Sequence, residues 1–173
     1  MEMTIKVTLT ETASKILHSH GIAPENYGPA FSGESAGLDL YNAGPDIVIY
    51  GRNKWVAFEE EKVLIPTGVK IVLPHNTVGL LKERSSILGY GLFSRAGVID
   101  PGYSGEIFVN LMSLGERDIK IQTGAKLPVQ LVVVPCFSDF KVISNLEYLR
   151  KTEGSARKER SLGSTDLSGK DNL

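Results

Sequence analysis

Apolar and polar residues alternate in short runs along most of this chain, the two-residue period of strands that bury one face. Residues 5–9 (IKVTL) make the first run. Residues 35–41 predict another, with Leu38 and Leu40 on one side and Gly37, Asp39 and Tyr41 on the other. Further strands are expected over 46–50, 55–58, 77–82, 106–114, 119–122, 126–137 and 140–144, with two short ones around Pro66 within 63–74. One stretch has helical spacing, from Thr10 as N-cap to a stop at Gly21. Turn formers fill the gaps at 42–46, 51–54, 75–76, 115–118 and 123–124. Short strands at regular spacing with little helix predict an all-β sandwich or barrel.

Composition narrows the function classes. A chain of 173 residues makes one domain with a short extension. A net charge of −1 argues against broad electrostatic binding to nucleic acid or to acidic membranes. The single cysteine, Cys136, cannot form an internal disulfide, and its apolar run predicts a buried, inert thiol. Three histidines and one cysteine make no zinc pattern. His18 and His20 are two apart and share no helix face, so they fit a helix C-terminus better than a metal. No apolar run approaches the ~20 residues of a membrane span, and a reducing cytoplasm is the expected location. The last stretch, 151–173, is polar and rich in glycine and serine, and should be disordered by itself. Within it, arginines beside Gly-Ser-Thr are what an anion-gripping flap would use.

The chemistry concentrates in residues 83–106, ERSSILGYGLFSRAGVIDPGYSGE. Arg84, Ser85 and Ser86 offer a guanidinium, two hydroxyls and successive N–H groups, a phosphate grip if they open a helical turn. Asp100 closes an apolar run against Pro101-Gly102. A carboxylate there is either a turn former bonded to its own backbone or an oriented base. Tyr103 stands on the far arm of the same turn. No P-loop, dinucleotide-binding or zinc-protease motif is present.

Taken together the set resembles the trimeric dUTPases, which hydrolyse dUTP to dUMP and pyrophosphate. Five short motifs occur in that family's order: Ala36-Gly37-Leu38-Asp39-Leu40; Arg84-Ser85-Ser86; Gly97-Val98-Ile99-Asp100 with Tyr103 and Gly105-Glu106; residues 124–130 ending in Gln130; and Arg157 with Leu162-Gly163-Ser164-Thr165. The resemblance implies a jelly-roll-like distorted β-barrel over 35–150, led in by an N-terminal strand and helix over 1–34. A flexible C-terminal arm over 151–173 would serve as a lid. It also implies a homotrimer whose three sites each draw on several chains. Asp100 would be the general base. Arg84, Ser85, Ser86 and Gln130 would hold phosphates. Tyr103 would pack beneath the sugar and exclude a 2′-hydroxyl. A hairpin near 94–98, with Gly97, Val98 and Ile99, would read uracil through its backbone. Asp39 would support the site, although read by itself it is a solvated strand-end carboxylate. Arg157, Leu162, Gly163, Ser164 and Thr165 would close over the γ-phosphate. Mg²⁺ would be held mainly by substrate phosphates and water, without a protein cage.

This sequence departs from the family's usual pattern. Leu162 stands where a phenylalanine usually stacks on the base, and Glu83 replaces a usual proline. Ala125 and Pro128 are unusual in the fourth motif, and residues 1–34 carry a helix that common members lack. Two rivals follow. A dCTP deaminase relative would need a glutamate where Asn110 stands. A non-catalytic regulator of the same fold would bind nucleotide or a protein partner.

Overall fold

The computed structural model describes residues 5–23, 27–29, 34–54 and 63–154. The strand expected over 55–58 lies outside these residues, as do Arg157, Leu162, Gly163, Ser164 and Thr165 of the expected lid. The chain divides into two compact units, Met1–Phe137 and Ser138–Leu173.

In the first unit β1 (Lys6–Leu9) leads into α1 (Glu11–Ser19). Then come β2 (Gly37–Tyr41), β3 (Ile47–Ile49), β4 (Leu64–Pro66), β5 (Val69–Val72) and β6 (Thr77–Glu83). A 3-10 turn (Ser85–Gly89) separates β6 from β7 (Leu92–Arg95). β8 (Val98–Ile99), β9 (Phe108–Ser113), β10 (Ile119–Ile121) and β11 (Lys126–Pro135) complete the unit. The strands pair as four antiparallel groups: β1-β5, β10-β3, β2-β11-β6-β8 and β4-β9-β7. The fold is mostly β, as the alternation predicts.

β11 organises the largest sheet, because it pairs with β2 on one side and with β6 along seven residues on the other. Its alternation sorts the two faces. Leu131 stands opposite both Leu38 and Leu81, and all three are buried in one cluster with Leu40, Ile65 and Val109. The opposite face carries Gln130, Val132 and Val134 of β11 beside Lys82, Leu80 and Val78 of β6, with Val98 of β8 opposite Leu80. Val132, Val134, Val78 and Leu80 are half-buried and Val98 is exposed, so this face is an apolar stripe with a polar end.

α1 forms where the sequence predicts. The Thr10 hydroxyl accepts the Ala13 N–H at 3.3 Å, and Gly21 ends the helix at φ +79°. Ala13 and Leu17 are buried. His18 lies in the last turn, and the His20 ring nitrogen Nδ1 lies 2.9 Å from the Ile16 carbonyl.

Three expectations are corrected. β7 and β8 do not form a hairpin: β7 pairs with β9 and β8 with β6, so residues 94–98 cross from one sheet to another. Positive φ angles at Ala96 (61°) and Gly97 (128°) make that crossing. Residues 140–144 are not a strand. Phe140 and Val142 are 89% and 98% exposed, and no described strand of their unit pairs with them. Their aromatic and β-branched residues favour a strand but find no partner. α2 (Asn145–Thr152) follows instead, with the Ser144 hydroxyl accepting the Glu147 N–H at 3.2 Å. The S-x-x-E spacing of Ser144 and Glu147 is a capping signal that identifies this start. Cys136 is half-buried rather than fully buried, and its N–H donates to the Asn76 carbonyl.

Glu83 fastens the crossing. Its Oε1 accepts the Ser94 hydroxyl at 2.5 Å and the Ser94 N–H at 3.3 Å. The Ser94 hydroxyl is the main cause that holds the Glu83 carboxyl below its ordinary range. A lowered folded-state pKa contributes stability above the unfolded value and loses it as pH falls through the folded one. Glu83→Gln should therefore cost less than about 1 kcal/mol at pH 7, since solvent screens the carboxylate and the amide still accepts from Ser94. In urea titrations the gap from the parent should close as the pH falls below the carboxylate range. A gap that persists in acid would contradict a charge-assisted bond.

Candidate active site

Asp39 lies mid-strand in β2 and is 6% exposed, which corrects the expectation of a solvated carboxylate. A buried carboxylate needs partners, and it has two. Arg84 Nε lies 2.9 Å from Oδ1 and Lys126 Nζ lies 2.8 Å from Oδ2. The Asp39 bond is the first cause that pushes the Lys126 ammonium above its ordinary range. Arg84 is fixed again where its N–H donates to the Pro128 carbonyl at 2.9 Å.

A bulge in β11 gives Lys126 its reach. Lys126 pairs with Tyr41 and Gln130 with Asp39, so four steps on β11 span two on β2. Pro128, which has no N–H for a ladder, sits inside the bulge. Ahead of it, the buried Asn42 side chain bridges the Pro45 and Gln122 carbonyls at 2.9 and 3.1 Å. The Asn42 backbone bonds both Gly124 and Ala125. The turn before Lys126 is thereby held.

Arg84 opens the 3-10 turn, as the phosphate-grip reading requires. Ser85 and Ser86 are exposed at its start, and buried Ile87 anchors it. Arg84, Ser86, Tyr90, Lys120 and Lys126 line a cavity of about 390 Å³. Gln130 lies over Gly37, where a Cβ would stand 2.2 Å from its Oε1, so a larger residue there would displace that side chain.

The third motif is built separately. Gly97 accepts the Leu81 N–H at 2.8 Å and pins the crossing to β6. A Cβ at Gly97 would meet that of Leu81 at 2.8 Å. Val98 is 67% exposed, and Ile99 pairs with Gly79. Asp100 is exposed, and its carbonyl accepts the Tyr103 N–H at 3.0 Å to close the turn. Among the described residues its carboxylate makes no hydrogen bond or ion pair, so the backbone forms the turn and the side chain faces outward. The Tyr103 ring covers Gly105, and its hydroxyl donates to the Glu106 carbonyl at 2.6 Å. Glu106 Oε1 accepts the Gly68 N–H at 2.8 Å.

The two groups are far apart within one chain. β8 runs antiparallel to β6 with Ile99 opposite Gly79. Asp100 continues one residue past that pair, and Arg84 lies five residues along β6 in the opposite direction. At 3.3 Å per residue the separation is about 20 Å. Arg84, Ser85, Ser86, Gln130 and Asp39 thus gather at one end of the sheet, and Asp100 with Tyr103 stands at the other. Among the described residues no three His, Cys, Asp or Glu side chains converge as metal ligands. No described helix is long and apolar enough to cross a membrane. Asn110, at the position a deaminase would need for its glutamate, donates to the Val63 carbonyl at 3.1 Å and serves the fold.

Lys126 is the site residue that sequence reasoning missed. Nothing local marks it, since its carboxylate lies 87 residues away on the neighbouring strand.

Comparison with known proteins identifies the family and the fold. The dUTPase family model matches residues 29–165. The deoxyuridine 5'-triphosphate nucleotidohydrolase of Clostridium tetani is 29% identical over 168 residues, 95% of this chain and 97% of its own. That of Clostridium kluyveri is 36% identical over 133 residues, 75% of this chain and 82% of its own. The native EIAV dUTPase superposes with a TM-score of 0.59 at 26% identity, covering 82% of this chain and 97% of its own. A Staphylococcus bacteriophage 80alpha dUTPase variant with dUpNHpp shares the fold at a TM-score of 0.65 and 24% identity, over 93% and 97% of the two chains. With its family motifs on the sheet ends that the fold provides, and a family match over most of its length, this chain belongs to the dUTPase family.

Proposed function

We propose that this protein hydrolyses dUTP to dUMP and pyrophosphate at sites assembled from several copies of the chain, most simply a homotrimer. The observation that carries the reading is the separation of about 20 Å between Asp100 and the Arg84 end of β6. Groups so placed can serve one substrate only when a second copy brings Asp100 and Tyr103 to the first copy's Arg84, Ser85, Ser86 and Gln130. The apolar stripe of Val78, Leu80, Val98, Val132 and Val134, which ends at Gln130, is the surface a second copy would cover.

The roles follow from position. Asp100, exposed and unpaired among the described residues, takes the proton of a water that attacks the α-phosphorus in line, and pyrophosphate leaves. Arg84 arrives preset by Asp39, so no ordering of its guanidinium is needed when phosphate binds. Ser85 and Ser86 present hydroxyls and turn N–H groups to the phosphates, and Gln130 reaches them across Gly37. The backbone of Gly97, Val98 and Ile99 reads uracil, and the Tyr103 ring excludes a ribose 2′-hydroxyl. Arg157, Leu162, Gly163, Ser164 and Thr165 belong to a closing arm over 151–173. The protein works in the cytoplasm, where lone Cys136 stays reduced.

The donor set fits a magnesium ion carried by the substrate. Cations and hydroxyls gather around the phosphate end, and the buried Asp39 carboxylate there is engaged by Arg84 and Lys126. When bound, Mg²⁺ neutralises charge on the leaving pyrophosphate.

Pyrophosphate release should be fast from dUTP and slower by orders of magnitude from dCTP, dTTP or UTP. Asp100→Asn should lower kcat by about 10²- to 10⁴-fold while dUTP affinity, measured by calorimetry, stays within a few-fold. Turnover like the parent's would remove Asp100 as the base. Binding of dUTP by the parent without pyrophosphate release would favour the regulator. Truncation after Arg150 should cut turnover without lowering the oligomer's mass in sedimentation, and unchanged kinetics would rule out a lid.

A further inference from the structure

β1 and α1 precede the segment that matches the family, and the roles above leave them without one. Yet α1 is seated on the core at both ends. A Cβ on Gly68 would stand 1.9 Å from that of Ala13, and one on Gly124 would stand 2.4 Å from the His20 ring. Both glycines have positive φ, +68° and +72°, so the helix rests on two turns that glycine alone makes with ease.

From the first seat a line of hydrogen bonds runs to Tyr103. The N–H of Thr10, the helix N-cap, donates to the Gly68 carbonyl at 2.7 Å. The Gly68 N–H donates to Glu106 Oε1 at 2.8 Å. The Glu106 carbonyl accepts the Tyr103 hydroxyl at 2.6 Å. Flanking bonds hold the middle of this line: the Thr67 hydroxyl donates to the Ile107 carbonyl at 2.6 Å, and the Ile107 N–H to Val69 at 2.8 Å. Tyr103 itself is 42% exposed, with its ring resting on Gly105 and its hydroxyl tied at the end of the line.

We propose that the β1–α1 unit is a positioning element for Tyr103, and that the protein sets its discrimination against ribonucleotides through the line Thr10–Gly68–Glu106–Tyr103. This rests on the dUTP reading above. A ring tied at its hydroxyl cannot back away from a 2′-hydroxyl, and a ring released there can. Thr10 and Glu106 touch no substrate and act only by holding Tyr103.

Thr10→Pro tests this directly. Proline lacks the N–H that Gly68 accepts, and the φ of Thr10, −63°, is the angle proline fixes. Thr10→Ala keeps that N–H and loses only the side-chain cap, so it corrects for a weakened helix. Tyr103→Phe removes the far end of the line. For each, kcat/KM is measured separately with dUTP and UTP. Thr10→Pro and Tyr103→Phe should each raise the UTP to dUTP ratio on the order of tenfold, the scale of one lost hydrogen bond, and Thr10→Ala should keep the parental ratio. General loss of fold would lower both rates together and leave the ratio alone. An unchanged ratio in Thr10→Pro beside a raised one in Tyr103→Phe overturns the helix's part, and an unchanged ratio in both overturns the whole line. If Thr10→Pro does not fold, Glu106→Ala cuts the line at its centre and faces the same two outcomes. A parent that releases no pyrophosphate from dUTP refutes the proposed activity itself, which these ratios keep separate.

Discussion

A carboxylate buried in the middle of a strand fixes one half of the site. Asp39 is almost out of water, and its charge is tolerable there only because two cations meet it. Those cations come from separate parts of the chain. Arg84 follows β6 and Lys126 begins β11, so the two ion pairs bind β2, β6 and β11 at one end. The bulge around Pro128 and the turn knotted by Asn42 exist at the same end. Two positive charges on one negative leave a surplus beside Ser85 and Ser86, which suits that end to an anion.

The other half is governed by the pairing of β6 with β8. That pairing fixes Asp100 at the opposite end of the sheet, where its carboxylate is turned outward. Neither half is a complete site. One half gathers cations and hydroxyls without a free base, and the other offers a carboxylate and an aromatic ring without a phosphate grip. Antiparallel register therefore places the two halves apart within one chain, and the proposed sharing of sites between copies starts from that separation. Helix α1 joins this scheme through Gly68 and Glu106, since the turn that seats its cap also positions the aromatic ring.

Much of this was legible in the sequence because the core obeys one rule. Leu38, Leu40, Leu81 and Leu131 fall on the buried face at every second position, and alternation is visible to the eye. The Thr10 cap and the Gly21 stop were legible for the same reason, being local chemistry. What could not be read was the long-range part. The ion pairs that let Asp39 be buried come from Arg84 and Lys126, which no spacing connects to it. The crossing at Ala96-Gly97 looked like a hairpin because its glycine and flanking strands are those of a hairpin. Only pairing with different sheets distinguishes the two. Residues 140–144 are rich in the aromatic and β-branched residues of a true strand, and that composition misled because it records a preference and says nothing about a partner.

The division of the site between copies is tested most directly by mixing two inactive chains. One carries Asp100→Asn and the other Gln130→Ala, and they are refolded together in equal amounts. If each site takes Asp100 from one chain and Gln130 from another, random assembly reunites the intact halves in about one site of four, and turnover of dUTP recovers to about a quarter of the parent's. If both residues serve a site within one chain, no mixture contains an intact site. Turnover that stays at the level of the separate variants would then contradict the account.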